Sequence, residues 1–205
     1  MANSDFSIKI EAFWAWFETN RTLIEAVVTG DNHPKTQTIV EQFDHHILDL
    51  GRFKWMLDNP TAQNFTFTLS PNNDSELYKK SRAIIADSPY FSNWTFYDHI
   101  QSIGLVPFEI YDAQMDIQEI DPAPWKFSLK EAGDNRFDLT LLQTNCDRID
   151  SETCELAAEI ALSNILGEGH KIDAIHSVKL AKEFSDQSIS TLPITELVDQ
   201  LKKRG

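Results

Sequence analysis

Apolar residues recur at three- and four-residue steps through the first 28 positions of the chain, which predicts an amphipathic helix. Four aromatic residues lie close together near its start, and Phe13, Trp14 and Phe17 fall on the apolar stripe. We therefore expect these three rings in the core. Trp16 falls off the stripe, so we expect it at the edge of the core and treat it as a candidate binding residue. The segment "GDNHP" (residues 30–34) then breaks the helix.

A second amphipathic helix is predicted over about residues 35–50, with Gly51 at its end and with inward positions at Val40, Phe43, Ile47 and Leu50. After Gly51 the apolar period changes from 3.6 to 2, which indicates strands. "FKWML" and "FTFTL" alternate, and "DNPTAQN" between them has turn chemistry, so a hairpin is expected. A helix with a capping box of Asn73 and Glu76 follows. "NWTFYDHI" is then predicted as a strand containing His99.

The same order of elements recurs in the second part of the chain. "WKFSL" and "RFDLTLL" are alternating segments joined by "KEAGDN", a capped helix follows over residues 150–166, and "KIDAIHSVKL" is a last strand. Between the two parts, "LVPFEIY" and "MDIQEID" predict short edge strands. The tail "LPITELVDQLKKRG" predicts a short amphipathic helix after the polar linker "KEFSDQSIST". We expect it to dock on its own core, and the alternative is that it binds a partner helix.

Strands with one apolar and one polar face are typical of antiparallel sheets that carry helices on one side. The sequence therefore predicts an α+β fold, a two-layer sandwich with a largely antiparallel sheet and helices on one face. Two similar β-β-α-β halves are expected after an N-terminal helical hairpin. We expect a single domain over residues 1–205, divided into the helical hairpin (1–51), a first half (52–100), acidic connecting edge strands (101–124), a second half (125–180), and a linker with the C-terminal helix (181–205).

The composition is that of an ordinary globular protein, with 41% hydrophobic and 24% charged residues in 205 positions. No apolar run approaches the roughly 18 residues that a membrane-spanning helix needs. The first residues contain neither a basic segment nor an apolar signal core, so we predict a cytoplasmic protein.

The charge is strongly acidic, at −14 from 32 acidic and 18 basic residues. Nucleic-acid binding depends on clustered Lys and Arg, so this balance argues against it. Residues 83–125 contain no Lys or Arg but several acids, including the candidate binding residues Asp112, Asp116, Glu119 and Asp121. Such a segment is either a solvated rim that keeps the protein soluble or a patch that attracts a basic partner.

The second helix contains "EQFDHHILD", in which Glu41, His45 and Asp49 are spaced four residues apart and share a helical face. Carboxylate and imidazole groups one turn apart can bind a divalent metal, which makes these residues candidate ligands. The alternative is an ordinary solvated face with local pairs, because no further ligand is marked elsewhere in the sequence.

The segment "LGEGHKID" places Glu168 and His170 just past a predicted helix end. A strained loop there could present an acid and a base to a substrate, or Gly167 and Gly169 simply provide positive φ for the cap and the next strand. The sequence contains no G-x-G-x-x-G, P-loop, G-x-S-x-G or H-E-x-x-H motif, and no cofactor is predicted. Two cysteines are too few for a disulfide framework or a zinc site built on thiolates.

Several segments follow one another in an order that resembles a family of uncharacterised bacterial proteins: "FWAWFETN", "FTLSPNND", "NWTFYDH", "PWKFSL", "FDLTLL" and "ILGEGHKIDAIHSV". Members of that family open with an aromatic W-x-W-F helix, place a Trp before the mid-chain strand, and end a helix in Leu-Gly-Glu before the last strand. The resemblance covers about residues 13–178 and implies the fold alone. It implies no reaction and no catalytic residue. Related chains often carry an Arg-rich strand after the mid-chain Trp, whereas this chain has "YDHIQSIGLVPFEIYD".

These observations favour a non-enzymatic acidic protein-binding module, an inhibitor or regulator of a basic partner, because complementary charge speeds encounter. The alternative is a small-molecule or metal-dependent enzyme that uses the Glu41/His45/Asp49 face or the Glu168/His170 loop. A third hypothesis is a structural homo-oligomer, which requires Trp16 or the last helix to lie in a large exposed apolar patch.

Overall fold

The computed structural model of the protein describes residues 5–30, 34–61, 63–144, 146, 149–181 and 191–204. The chain forms two compact units, Met1–Ile100 and Gln101–Gly205. The unit boundary coincides with the end of the first predicted half, whereas the single domain over residues 1–205 stays a prediction. The fold is α+β, as predicted, and the described residues form six α-helices and nine strands.

The first unit contains two long helices followed by a three-stranded sheet with one crossover helix. Its strands lie in the order β1-β2-β3, with β1 and β2 antiparallel and β2 and β3 parallel. The elements are α1 (Asp5–Val28), α2 (Thr36–Leu50), β1 (Lys54–Thr61), β2 (Asn64–Ser70), α3 (Ser75–Ala86) and β3 (Trp94–Tyr97).

The second unit contains a separate hairpin of β4 and β5 and a four-stranded sheet in the order β8-β7-β6-β9. A 3-10 turn (Ile194–Glu196) precedes its last helix. The other elements are β4 (Phe108–Tyr111), β5 (Ile117–Ile120), β6 (Lys126–Gly133), β7 (Arg136–Leu142), α4 (Ser151–Leu166), α5 (Glu168–Ala174), β8 (Ile175–Ala181), β9 (Leu192–Pro193) and α6 (Leu197–Arg204).

The predicted internal repeat is present in the strand topology. In each unit an antiparallel pair, β1-β2 or β6-β7, is followed by a helical crossover and by a strand parallel to the second member of the pair. The sheets are therefore mixed: four of the six strand pairs among the described residues are antiparallel, as expected, and these two are parallel. A parallel neighbour requires a crossover connection, which the helices provide.

Each unit has its own apolar core. In the first unit the core joins α1 and α2 to one face of the sheet, and Phe13, Trp14 and Phe17 are buried in it as predicted. In the second unit the core joins β6, β7 and α4, and it includes Leu197 and Leu201 of α6. The last helix therefore docks on its own core, as expected.

Several local predictions are wrong at turns and helix ends. The cap of α3 is Asp74, whose carboxylate accepts hydrogen bonds from the backbone N–H groups of Glu76 and Leu77, and Asn73 does not take this role. His99 lies in a bend beyond β3, because that strand ends at Tyr97. In α2, Phe43, Ile47 and Leu50 are buried as predicted, but the buried residue of the first turn is Ile39, whereas Val40 is half-buried.

Both predicted hairpin turns are shorter than expected. β1 extends through Pro60, which an edge strand tolerates because one side of its backbone needs no partner. β6 and β7 are joined by only Asp134 and Asn135, both at positive φ (52° and 57°), the conformation of a tight two-residue turn. The predicted breaker "GDNHP" and the linker "KEFSDQSIST" lie largely outside the described residues, which omit 31–33 and 182–190.

Candidate functional site

The predicted metal face lies on α2, where two of its residues contact each other and the third contacts Gln37. His45 Nε2 is 3.7 Å from a carboxylate oxygen of Asp49, and Glu41 accepts a hydrogen bond of 2.8 Å from the side chain of Gln37. Within the described ranges, no group of three or more His, Cys, Asp or Glu side chains could hold a metal ion. The geometry thus matches the alternative to a metal site that the sequence analysis gave, a solvated face with local pairs.

Trp16 lies beside this face, in a shallow depression that Glu41, His45 and His46 also line. It is half-buried, as expected of a residue at the core edge. Its ring centroid is 4.7 Å from that of His46, and its Nε1 donates a 3.4 Å hydrogen bond to the side-chain oxygen of Gln42. Partial burial lowers the pKa of His46 below its usual value, against the raising effect of nearby Asp49. Packing between α1 and α2 accounts for these contacts.

Glu168 and His170 do not form an exposed acid–base loop. Both belong to α5, where Glu168 is only 2% exposed and His170 is exposed. Residues two apart on a helix do not face each other, so the two side chains do not converge. The expectation of a loop is corrected, and so is the expectation of positive φ at Gly169, because only Gly167 has it (73°).

Two of the four acidic candidates hold turns of the second unit. A carboxylate oxygen of Asp112 accepts hydrogen bonds from the backbone N–H groups of Gln114 and Asp116, both at 2.9 Å, and the other accepts one of 2.7 Å from Gln118 Nε2. Asp121 accepts a 2.9 Å hydrogen bond from the backbone N–H of Ala123. Asp112 therefore closes the β4–β5 hairpin, and removing its charge would disturb that turn.

The other two candidates, Asp116 and Glu119, are exposed on the β4–β5 hairpin. Alternate residues of its strands share a face, and Ile110 and Ile120 point into the core at 6% and 1% exposure. The opposite, outer face presents the exposed pairs Glu109–Glu119 and Tyr111–Ile117. Tyr111 is 59% exposed and Ile117 56% exposed, and Met115 in the turn is 73% exposed. We call Glu109, Tyr111, Met115, Asp116, Ile117 and Glu119 the hairpin face.

A cavity of about 320 Å³ adjoins the hairpin face between the hairpin turn and the start of α4, and Tyr111 and Leu156 form part of its lining. Asp150 joins the two elements there. Its carboxylate accepts hydrogen bonds from the hydroxyl and backbone N–H of Thr153, and it also accepts one from the backbone N–H of Ala113 in the turn. These hydrogen bonds, chiefly those of Thr153, hold the pKa of Asp150 below its usual range. The hairpin turn is thus fixed to the helix.

Sequence reasoning missed the apolar half of this surface. It identified both edge strands and the acids, but it did not pair the strands with each other. The signal was present, because "FEIYDAQMDIQEI" alternates on both sides of an Asp-initiated turn. Pairing the two strands would have placed Tyr111 and Ile117 together on the outside.

None of the helices in the described part of the chain combines the length and apolar character that crossing a bilayer requires. Comparisons with protein families, with curated proteins and with solved structures found no match for this chain. The resemblance to an uncharacterised bacterial family therefore stays a prediction.

Proposed function

We propose that the protein is a non-enzymatic binding module that recognises a basic segment of another protein through the hairpin face. The observation that carries the proposal is the composition of this face. It sets three exposed apolar side chains, Tyr111, Met115 and Ile117, among exposed carboxylates. Exposed apolar groups in a patch rimmed by charge are typical of sites that dock partners.

The charge of the hairpin selects the partner. Residues 101–124 contain five acids and no Lys or Arg, so the hairpin has no basic residue of its own. A basic partner relieves the repulsion between these carboxylates, and complementary charge raises the association rate. The apolar side chains supply contact area that remains when salt screens the charges. We therefore expect a partner segment in which Lys or Arg alternates with apolar residues.

Affinity capture from lysate of the source cells tests this proposal, with variants chosen to leave the turns intact. The test variant carries Glu109→Gln, Asp116→Asn and Glu119→Gln. A matched control carries Glu11→Gln, Glu18→Gln and Asp49→Asn, three exposed acids of the other unit, and changes the net charge by the same amount. Asp112 and Asp121 stay unchanged because they hold turns.

A protein that the wild type and the control retain, and that the test variant loses, supports the proposal. Hydroxyl-radical footprinting of the purified complex should then show protection of Tyr111 and Met115, which are exposed in the chain alone. Equal retention by both triple variants would show that overall charge, and not the hairpin face, attracts the protein. Unchanged labelling of Tyr111 and Met115 in the complex would place the interface elsewhere. Either result overturns the proposal.

A further inference from the structure

A second cavity of the residue 101–205 unit lies at the edge of β6, where the two-residue strand β9 ends. β9 pairs only with Lys126 and Phe127, so the next part of this β6 edge has no strand partner among the described residues. The cavity measures about 360 Å³. Small-molecule sites in proteins start at roughly 300 Å³, so this volume admits a compact organic ligand.

The described polar side chains that line this cavity all carry hydrogen-bond donors, two as hydroxyls and two as cations. Ser128 and Thr140 lie opposite each other across the β6–β7 pair, Lys130 follows two residues after Ser128 on the same face, and Arg204 reaches the cavity from the last turn of α6. None of these four side chains has an ion-pair or hydrogen-bond partner within the described ranges. The donors are therefore available to a ligand.

The surrounding sheet face is basic, although the chain as a whole carries a charge of −14. Lys126 precedes Ser128 on this face, and Lys179 of β8 lies opposite Thr140. Asp138 is the acid opposite Lys130, but its carboxylate accepts a hydrogen bond from the Ser177 hydroxyl on β8, on the side of β7 away from the cavity. Among the described residues, no acid lines the cavity.

We propose that this cavity binds a small organic anion in which a carboxylate or phosphate group is attached to an apolar group. The Arg204 guanidinium and the Lys130 ammonium pair with the oxyanion, because a planar guanidinium matches the geometry of carboxylate and phosphate oxygens. The Ser128 and Thr140 hydroxyls donate to the same oxygens. The apolar group contacts Leu129 and Leu192, two half-buried side chains that also line the cavity. This site is separate from the hairpin face and does not depend on the function proposed for that face.

Titration of the whole ¹⁵N-labelled protein with three one-ring compounds tests the proposal. Benzoate represents the carboxylates, phenyl phosphate represents the phosphate monoesters, and benzyl alcohol is the neutral control. We expect saturable shifts at the backbone amides of Ser128, Lys130, Thr140 and Leu192 with at least one anion and none with benzyl alcohol. Comparison of the two anions decides which oxyanion the site prefers.

A pair of variants on one helix separates the site from net charge. Arg204→Gln removes the guanidinium. Lys202→Gln removes an exposed charge two residues earlier on α6, at a position that is not part of the cavity lining. We expect Arg204→Gln to weaken anion binding about tenfold or more, and Lys202→Gln to leave it within about twofold because screened surface charge contributes little. Thr140→Val, which removes one hydroxyl at nearly constant shape, should also weaken binding.

The same spectra show that each variant is folded, so loss of binding is not confused with loss of structure. Absence of saturable shifts with both anions would overturn the proposal. Shifts confined to residues away from the cavity, or equal weakening by Arg204→Gln and Lys202→Gln, would overturn it as well.

Discussion

Glu109 on β4 and Glu119 on β5 lie directly opposite each other in the antiparallel hairpin, and both side chains are exposed. Like charges at directly opposed positions destabilise a strand pair. The neighbouring Tyr111–Ile117 pair and the turn closed by Asp112 have the opposite effect and hold the hairpin together. The repulsion between Glu109 and Glu119 therefore destabilises the hairpin at the centre of its proposed docking surface. A bound basic partner would remove this repulsion.

We expect Glu119→Gln to raise the free energy of unfolding by a few tenths of a kcal/mol, up to about 1 kcal/mol, because it removes this repulsion. The gain should shrink as salt rises, since salt screens exposed charges. Urea denaturation at low and at high ionic strength measures both effects. The same substitution should weaken binding of the basic partner.

The double variant Glu109→Gln/Glu119→Gln provides the internal control. Once one charge is gone the repulsion is gone, so the double variant should gain little beyond the single variant. Glu131→Gln is the matched external control, because Glu131 is exposed on β6 and lies opposite Phe137. A gain at Glu131 equal to that at Glu119 would contradict the explanation by facing charges.

A second prediction concerns acid sensitivity at Asp150. Its folded pKa is lowered by the hydrogen bonds that it accepts from Thr153 and Ala113. The contribution of the charged Asp150 to the free energy of unfolding is therefore fully present above the unfolded pKa of about 3.9. It is lost as the pH falls through the folded pKa. Asparagine also caps helices but does not titrate. The stability advantage of the wild type over Asp150→Asn should thus decrease as the pH is lowered below about 4. A constant advantage in urea titrations across this range would contradict the prediction.

Most helices and strands could be predicted because their signals are local, whereas the short α5, which includes residues 171–174 expected in the last strand, and the two-residue β9 were missed. The period of apolar residues places α1 and the alternation of β7 within a few residues, and the repeat follows from the order of the elements. Turn positions were harder, since they depend on single residues. Composition alone predicted a six-residue turn, "KEAGDN". The observed turn is only two residues long because Asp134 and Asn135 both adopt positive φ.

The candidate sites differ in how much sequence reveals. The hairpin face is local, and its acids Asp116 and Glu119 were identified, but its apolar residues required the register between β4 and β5. The anion cavity is not local, because Arg204 of α6 lines the same cavity as Ser128 and Thr140, which are more than 60 residues away in sequence. Sequence placed Arg204 at the end of a helix, where it complements the dipole, and could not show what it faces.

Glu25 provides a third prediction, for the stability of the first unit. One oxygen of its carboxylate accepts hydrogen bonds from Trp94 Nε1 at 2.8 Å and from Asn93 Nδ2 at 3.0 Å, and so connects α1 to the start of β3. Hydrogen bonds to charged groups contribute about 1.5–3 kcal/mol. We expect Glu25→Ala to lower the free energy of unfolding by about 2 kcal/mol. Glu18→Ala, an exposed position on the same helix, should change it by less than about 0.5 kcal/mol. Equal effects at the two positions would contradict the role of Glu25.

The contact between Trp16 and His46 provides a prediction for pH dependence. Partial burial lowers the pKa of His46 from its usual 6.5, with a smaller lowering by His45 and a partial opposing effect of Asp49. Because the His46 pKa is lower in the folded chain, the unfolded chain binds the proton more tightly. The free energy of unfolding should therefore reach its full value above about pH 6.5 and decrease as the pH drops towards the folded pKa. Below that pKa this contribution should level off.

Titration of the His46 ring by NMR measures the folded pKa directly. Trp16→Ala removes the ring that covers His46, so it should move the His46 pKa up towards 6.5 and flatten the fall in stability below that pH. Glu18→Ala on the same helix removes an exposed charge and leaves the aromatic contact in place, which makes it the matched control. If His46 titrates at or above 6.5 in the wild type, or if Trp16→Ala leaves its pKa unchanged, burial under Trp16 does not control this histidine.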